Sequence, residues 1–370
     1  MFRILYKYIA IFLFIFPLIV NAQVTIGSGI PPVEGALLDL KEHAPNVAGV
    51  TATKGLGLPR VNLASPTALD PIVGDVNELV GLLVYNTNSI ATDRFCPGPY
   101  VWTGTEWNHL LSSTMGMVVD VEGNTYRIAT FGSAGTWMIE NLRTKTYANG
   151  TSLPLLQNGT SINTNSQYYI FPNVSPTVDK DAYGLLYTWA AATNNAHSDY
   201  FDNPGAGTVK STVQGICPAG WVVPSDYDWT LLETEIANNS TTYSTYTAEA
   251  WDPSWEITYN TDARGDFGIS MKSPVSVNGV ATDGQSSPVC KNNGFNVLMV
   301  GGVNDSNTDQ VYTPDDYGNR AYFWTSSQQT NTGIFKWYRR LYASQSSGGV
   351  ERHMHVANQY IYSVRCKKAD

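Results

Sequence analysis

Four groups of residues in this 370-residue chain carry side chains whose types and spacing could do chemistry. His353-Met354-His355 sets two imidazoles two residues apart, and on a strand such residues face the same side, so both could reach one transition metal. No third ligand follows at a telling spacing, and no Glu stands between the two as in a helical zinc protease. Two exposed histidines on a polar strand are the commoner explanation, and no metal is expected. Asp283, Asn304-Asp305 and Asp315-Asp316 offer oxygen ligands for calcium but lack the spacing of a calcium loop, so solvated acidic loops explain them equally well. The remaining carboxylates form no distinctive acid–base pair. Asp226 and Asp228 suit the start of a helix, and Glu233 and Glu235 are expected on its solvated face. Gly301-Gly302 reads as a tight strand bend, since no helix with a lysine follows it. No catalytic residue and no cofactor are expected.

The fourth group is suited to binding. Phe335 to Tyr342 alternates so that a regular strand shows Lys336, Tyr338, Arg340 and Tyr342 on one face. The polar run Ser344 to Gly349 then turns the chain, and Arg352, His353 and His355 return. Aromatic rings stack on sugar faces or anchor peptides, while cations orient a ligand. With Trp324, the residues Lys336, Tyr338, Arg340, Tyr342, His353 and His355 are the candidate ligand contacts. The competing reading is a structural strand with its rings in the core and its cations in water.

Elements must position these groups, and the compartment comes first. Arg3 and Lys7 precede an apolar run from Ile9 to Val20, and Asn21-Ala22-Gln23 suits signal peptidase. A cleaved leader over residues 1–22 and export to the outer cell surface are expected. The run is shorter than the ~20 residues that span a bilayer. Removing Arg3 and Lys7 leaves 20 basic against 31 acidic residues, a net charge of −11, which argues against nucleic acid or anionic membrane as partner.

From Val24 to Leu111 short apolar runs are broken by Pro and Gly, which suits strands and ordered loops. Tyr100 to Trp107 reads as a hairpin around Thr103-Gly104-Thr105, and Ser112-Ser113-Thr114 as a linker. A β-rich module over 23–113 and a second domain over 114–370 are therefore expected. In the second domain, Met117 to Ile128 reads as a hairpin around Glu122-Gly123-Asn124. Leu186, Trp189 and Ala190 fall at helical spacing within Tyr183 to Ala192. A further helix is expected from Asp226 to Ala237, capped by Ser225, with Trp229, Leu232 and Ile236 as its apolar stripe.

Two resemblances follow from these residues. Ala36 to Lys41, Lys54 to Val61, Gly81 to Thr87 and Tyr100-Val101-Trp102 with Trp107 resemble a module found ahead of diverse domains in exported proteins of Bacteroidota. That likeness implies a presenting role with a tendency to self-associate. The blocks Trp137 to Leu142, Tyr183 to Trp189, Cys217 to Trp221, Pro224-Ser225-Asp226 with Trp229, Tyr322 to Ser327 and Ser363 to Cys366 resemble the Fibrobacter succinogenes major paralogous domain. The likeness implies an α+β, C-type-lectin-like and formylglycine-generating-enzyme-like fold, with few short helices and mostly antiparallel strands, preceded by the small β-rich module. The oxidase chemistry of the enzyme relatives needs cooperating reactive cysteines. Fold analogy alone does not transmit it, and no enzyme is expected.

Cys217 and Cys366 sit at opposite ends of the terminal region within these blocks, and in an exported chain a bridge between them is expected. Cys96 and Cys290 either bridge the two domains or stay free, since connectivity cannot be read from sequence. The functional expectation is a surface adhesion protein that recognises a glycan or protein ligand through its lectin-like domain. The alternative is a non-catalytic structural or assembly subunit of a surface fibre or envelope complex.

Overall fold

The computed structural model describes residues 24–33, 36–65, 67–88, 97–110, 116–173, 183–202, 205–258, 263–287, 293–304, 310–329, 333–344, 348–357 and 360–370. Two compact units divide the chain, one ending at Pro59 and the other beginning at Arg60. In the first, β1 (Val24–Ile26) and β2 (Leu38–Leu40) pair in parallel, with Val24 opposite Leu38 and Ile26 opposite Leu40. The leader expected over residues 1–22 lies outside the described residues.

The second unit opens with a four-stranded sheet of β3 (Arg60–Val61), β4 (Leu83–Asn86), β5 (Gly98–Trp102) and β6 (Trp107–His109), in that order. The expected hairpin is present, with Trp102 opposite Trp107 and their rings 5.3 Å apart. Each indole is buried and satisfied: Trp102 Nε1 donates to Val76 O at 2.8 Å and Trp107 Nε1 to Ala68 O at 3.0 Å. With Leu63, Leu69, Val84 and Tyr100 they form a small core of their own. The linker expected near residue 113 lies outside the described residues.

Downstream come β7 (Met117–Val119), β8 (Thr125–Thr130), β9 (Thr136–Met138), β10 (Tyr169–Ile170) and β11 (Leu186–Thr188). The helix α1 (Trp189–Thr193), β12 (Trp221–Val222), α2 (Asp226–Asn238), α3 (Ser240–Tyr243), β13 (Ala263–Arg264) and α4 (Gly268–Met271) follow. The chain then runs through β14 (Val303–Asn304), β15 (Arg320–Gln328), β16 (Phe335–Tyr342), β17 (Val350–Val356), β18 (Tyr360–Tyr362) and β19 (Lys367–Lys368). Three sheets result: β12-β19-β9-β8-β7, β10-β11-β18-β14 and β13-β17-β16-β15. Every strand pair in these three sheets is antiparallel, and the few helices are short.

Local sequence explains the elements that matter for function. Ser225 caps α2 by accepting from Asp228 N at 3.1 Å, and Asp228 Oδ2 accepts from Ser225 N at 3.0 Å, a reciprocal capping box. Trp229, Leu232 and Ile236 are fully buried, and the Trp229 ring meets those of Trp137, Phe295 and Phe323 within 5.7 Å. The helix expected within Tyr183 to Ala192 starts later than the apolar run. Leu186 to Thr188 is extended because Leu186 and Tyr187 pair with β10, and Tyr187 and Thr188 pair with β18. Only Trp189–Thr193 coils, with Thr188 accepting from Ala191 N at 3.3 Å as its cap.

Cys217 and Cys366 are bonded and fully buried, joining the turn before β12 to the irregular stretch that leads into β19. Cys96 and Cys290 lie outside the described residues. Closing a loop with a sequence separation of 149 removes chain entropy from the unfolded state. Replacing both cysteines by serine should therefore lower unfolding free energy by about 4 kcal/mol, measured by urea denaturation of the oxidised protein. A loss below about 1 kcal/mol would show that the bond is not a main constraint on the unfolded chain.

Candidate functional site

The hairpin stack β15–β16–β17 holds nearly every candidate residue, and its register sorts them by face. Tyr322 opposes Arg340, Trp324 opposes Tyr338, Tyr338 opposes His353, and Lys336 opposes His355. Because side chains alternate, Trp324, Lys336, Tyr338, Arg340, Tyr342, His353 and His355 share one face. Phe323, Trp337, Arg339, Leu341 and Arg352 share the other, and that face packs on α2.

Between α2 and the sheet lies a buried ion network. Arg339 donates to Asp226 Oδ1 at 2.7 Å, to Glu233 Oε1 at 2.6 Å and to Asp226 O at 2.9 Å. Arg352 grips the same carboxylate with both prongs, at 2.8 and 2.9 Å, and Arg264 pairs with Glu233 Oε2. All five side chains are at most 1% exposed. Arg352 also lies 4.1 Å over the Trp337 ring, which itself stacks on Phe201. Burial alone would raise the Asp226 carboxyl, but the Arg352 and Arg339 charges outweigh it and hold the group below the usual carboxylate range. Glu233 therefore corrects the expectation of a solvated helix face. Asp226, Thr230 and Glu233 recur at i, i+4 and i+7 beside the apolar stripe, and that spacing was the available signal.

The other face is partly covered. Trp324, Tyr338 and Lys336 are buried. Trp324 Nε1 donates to Tyr187 O at 2.8 Å, and its ring lies 4.5 Å from Tyr362. Lys336 Nζ sits 3.6 Å over the Trp189 ring and donates to Gln328 Oε1 at 2.5 Å, while burial pushes its amine down to about 8. These three form a floor. Arg340, Tyr342, His353 and His355 remain half-buried and form a strip above it. Arg340 pairs with Glu351 across the sheet, and the Arg320 guanidinium lies 4.8 Å over the Tyr342 ring. The His355 ring stacks 4.0 Å from Tyr360 and 4.7 Å from His353. Burial first, then the neighbouring His353 and Arg340, lowers His355 to about 3, and burial likewise lowers His353. At neutral pH both are uncharged rings, able to stack and to exchange hydrogen bonds. Tyr360, Arg320 and Glu351 complete the strip and were not singled out in the sequence.

Oxygen ligands considered for calcium are engaged otherwise. Asp316 accepts from Arg320 and from Tyr322 Oη, and Asp283 pairs with Lys272. Asp305 lies outside the described residues. Among the described residues, no three His, Cys, Asp or Glu side chains are grouped to hold a metal ion.

Residues 132–368 match the model of the Fibrobacter succinogenes major domain. The chain belongs to that family. Residues 25–124 match a phage tail like trimerisation region, which supports self-association. No curated protein and no solved structure matches the chain.

The blocks that resemble the Fibrobacter succinogenes major domain prove to be one interlocked structure. Arg365 is buried and donates to Asn141 Oδ1 at 2.9 Å and to the carbonyls of Phe295 and Asn296. Asn141 in turn donates to Tyr183 O at 3.1 Å. Gly184, at φ +80°, passes so close that a Cβ would meet Asn141 Cβ at 2.6 Å. Trp189 Nε1 donates to Thr325 O at 2.8 Å, Ser326 N to Pro224 O at 2.8 Å, and Asp226 N to Ser327 Oγ at 2.9 Å. The motif residues build the domain frame, and the strip is set on its outer side.

Two outcomes test this assignment. Asp226→Asn takes from the buried Arg352 the carboxylate it grips and from Arg339 one of its two, and should cost about 3–5 kcal/mol. Asp316→Asn, at a partly exposed pair, should cost under about 1 kcal/mol. Urea titrations of the two variants read the difference, and equal losses would contradict the network's role. Acid should also act through His355. Its folded pKa lies below the unfolded value, so unfolding takes up a proton, and stability falls as pH drops from about 6.5 towards 3. His355→Phe should reduce the pH slope of stability between pH 6 and 5 by up to about one proton. An unchanged slope would mean that this imidazole titrates normally in the fold.

Proposed function

We propose that this chain is an exported, non-catalytic structural subunit. It self-associates through its N-terminal region and displays a C-terminal, lectin-like domain at the cell surface. One observation carries the reading. Of the 23 large apolar side chains that stand exposed among the described residues, 17 fall between Val24 and Val121. That interval coincides with the region matching the trimerisation model, residues 25–124. Monomeric soluble proteins seldom leave so much aliphatic surface in so little chain, and its cover by other copies removes it from water. Export is supported by the leader-like residues 1–22 and by the Cys217–Cys366 bond, which persists in oxidising compartments. The non-catalytic reading is supported by the placement of the family blocks, whose charged residues are spent on the interior.

A second reading is favoured by the strip of Arg340, Tyr342, His353, His355 and Tyr360. Stacked rings with open edges beside a guanidinium suit a glycan or a peptide, and three copies would multiply a weak contact. Recognition would then be the task of the displayed domain. Binding to a glycan and surface-protein panel that Tyr342→Ala abolishes supports it, and an empty panel for the oligomer leaves the structural role as the whole function.

The proposed role is tested by native mass spectrometry of the full exported chain from micromolar to nanomolar concentration. Three copies per particle are expected. A monomer throughout that range would overturn the reading.

A further inference from the structure

We propose that the outward face of the β1–β2 ribbon, formed by Val24, Ile26, Leu38 and Leu40, is the surface on which copies of this chain meet. The proposal rests on the self-association argued above and assigns it to one face. The ribbon is turned inside out relative to an ordinary surface sheet. Strand alternation gives each three-residue strand two aliphatic residues on one side and one polar residue on the other. Here the polar side faces the chain's own segment 31–33. Asp39 Oδ2 accepts from Lys41 Nζ at 2.7 Å and from Val33 N at 2.9 Å, and Lys41 Nζ also donates to Pro31 O at 2.6 Å. Lys41 is 6% exposed. The aliphatic side faces water: Val24 is 51% exposed, Ile26 57%, Leu38 55% and Leu40 40%.

A chain that folds its charged residues inward and its aliphatic pairs outward gains hydrophobic stabilisation only when something covers the outer face. Parallel strands are found almost only where both faces are covered, and a lone two-stranded ribbon is marginal in water. The pairs Val24–Leu38 and Ile26–Leu40 stand side by side in register, so the four side chains form one continuous patch. The occupant is a further copy of this chain. The patch carries no charge and no hydrogen-bonding side chain, so it fits a surface like itself and gives a polar partner nothing to pair with. It also lies almost wholly within the residues that match the trimerisation model. Three ribbons packed about a threefold axis cover one another and leave the Asp39–Lys41 side against each subunit's own chain.

The test uses the full chain. Ile26→Glu combined with Leu38→Glu should convert the trimer to monomer, raising the dissociation constant at least about 100-fold by sedimentation velocity. Val209→Glu, at an exposed aliphatic of the C-terminal domain, should leave the trimer intact. If the wild type is trimeric and the double variant stays trimeric, the ribbon is not the contact, although self-association stands. If the wild type is monomeric, self-association itself fails. Should the double variant misfold, p-benzoylphenylalanine in place of Leu38 in a mixture of light and heavy chains decides. Light–heavy crosslinks between residues 24–40 support the ribbon. Crosslinks only elsewhere, or none between copies, overturn it.

Discussion

One carboxylate organises the C-terminal domain. Asp226, at the first turn of α2, receives two prongs of Arg352 and one of Arg339, and Glu233 two turns further receives Arg339 and Arg264. Taking such charges out of water is expensive, and the arrangement is tolerated because every oxygen of the two carboxylates has a partner. The consequence is positional. A hydrophobic contact between helix and sheet would allow sliding, whereas five charged groups in a closed lattice fix the helix on β16 and β17 in one register. The capping box at Ser225, the aromatic contacts of Trp229 and the cross-link from Cys217 to Cys366 all lie around that helix or its entry.

Fixing β16 by one face determines what its other face can offer. Arg339 and Trp337 are held against α2, so Tyr338, Arg340 and Tyr342 must point to the opposite side, where β17 adds His353 and His355. Tyr362, Tyr187 and Trp189 cover the inner part of that face and leave only its outer strip half open. In this member of the Fibrobacter succinogenes major domain family, the distinctive blocks therefore build the frame, and Arg340, Tyr342, His353, His355 and Tyr360 lie between the last two of them.

Much of this was legible in the sequence, for identifiable reasons. The hairpins at Trp102–Trp107 and Val119–Thr125, the helix from Asp226 and the alternation of β16 follow from short-range chemistry: turn residues, a cap and period two. The bridge from Cys217 to Cys366 followed from the family blocks. What stayed hidden depends on contacts distant in the chain. Glu233 reads as a surface residue until Arg264 and Arg339, 31 and 106 positions away, close on it. Tyr360 joins the histidine strip only because β18 crosses between β11 and β14. Leu186 to Thr188 has a helical pattern and becomes a strand because partners on both sides claim its backbone.

The N-terminal region obeys the opposite economy of surface. Downstream, buried charges meet carboxylates, carbonyls or aromatic rings and the apolar groups are largely enclosed, whereas from Val24 to Val121 aliphatic side chains repeatedly stand in water. On the proposed function, other copies complete this region and the C-terminal domain is complete alone. Hydroxyl-radical footprinting of the assembled full chain tests that claim most directly. It should leave Ile26, Leu38 and Leu40 protected while Tyr200, Val209 and Val311 are labelled at rates matching their exposure in the single chain. Equal labelling of both sets would contradict it.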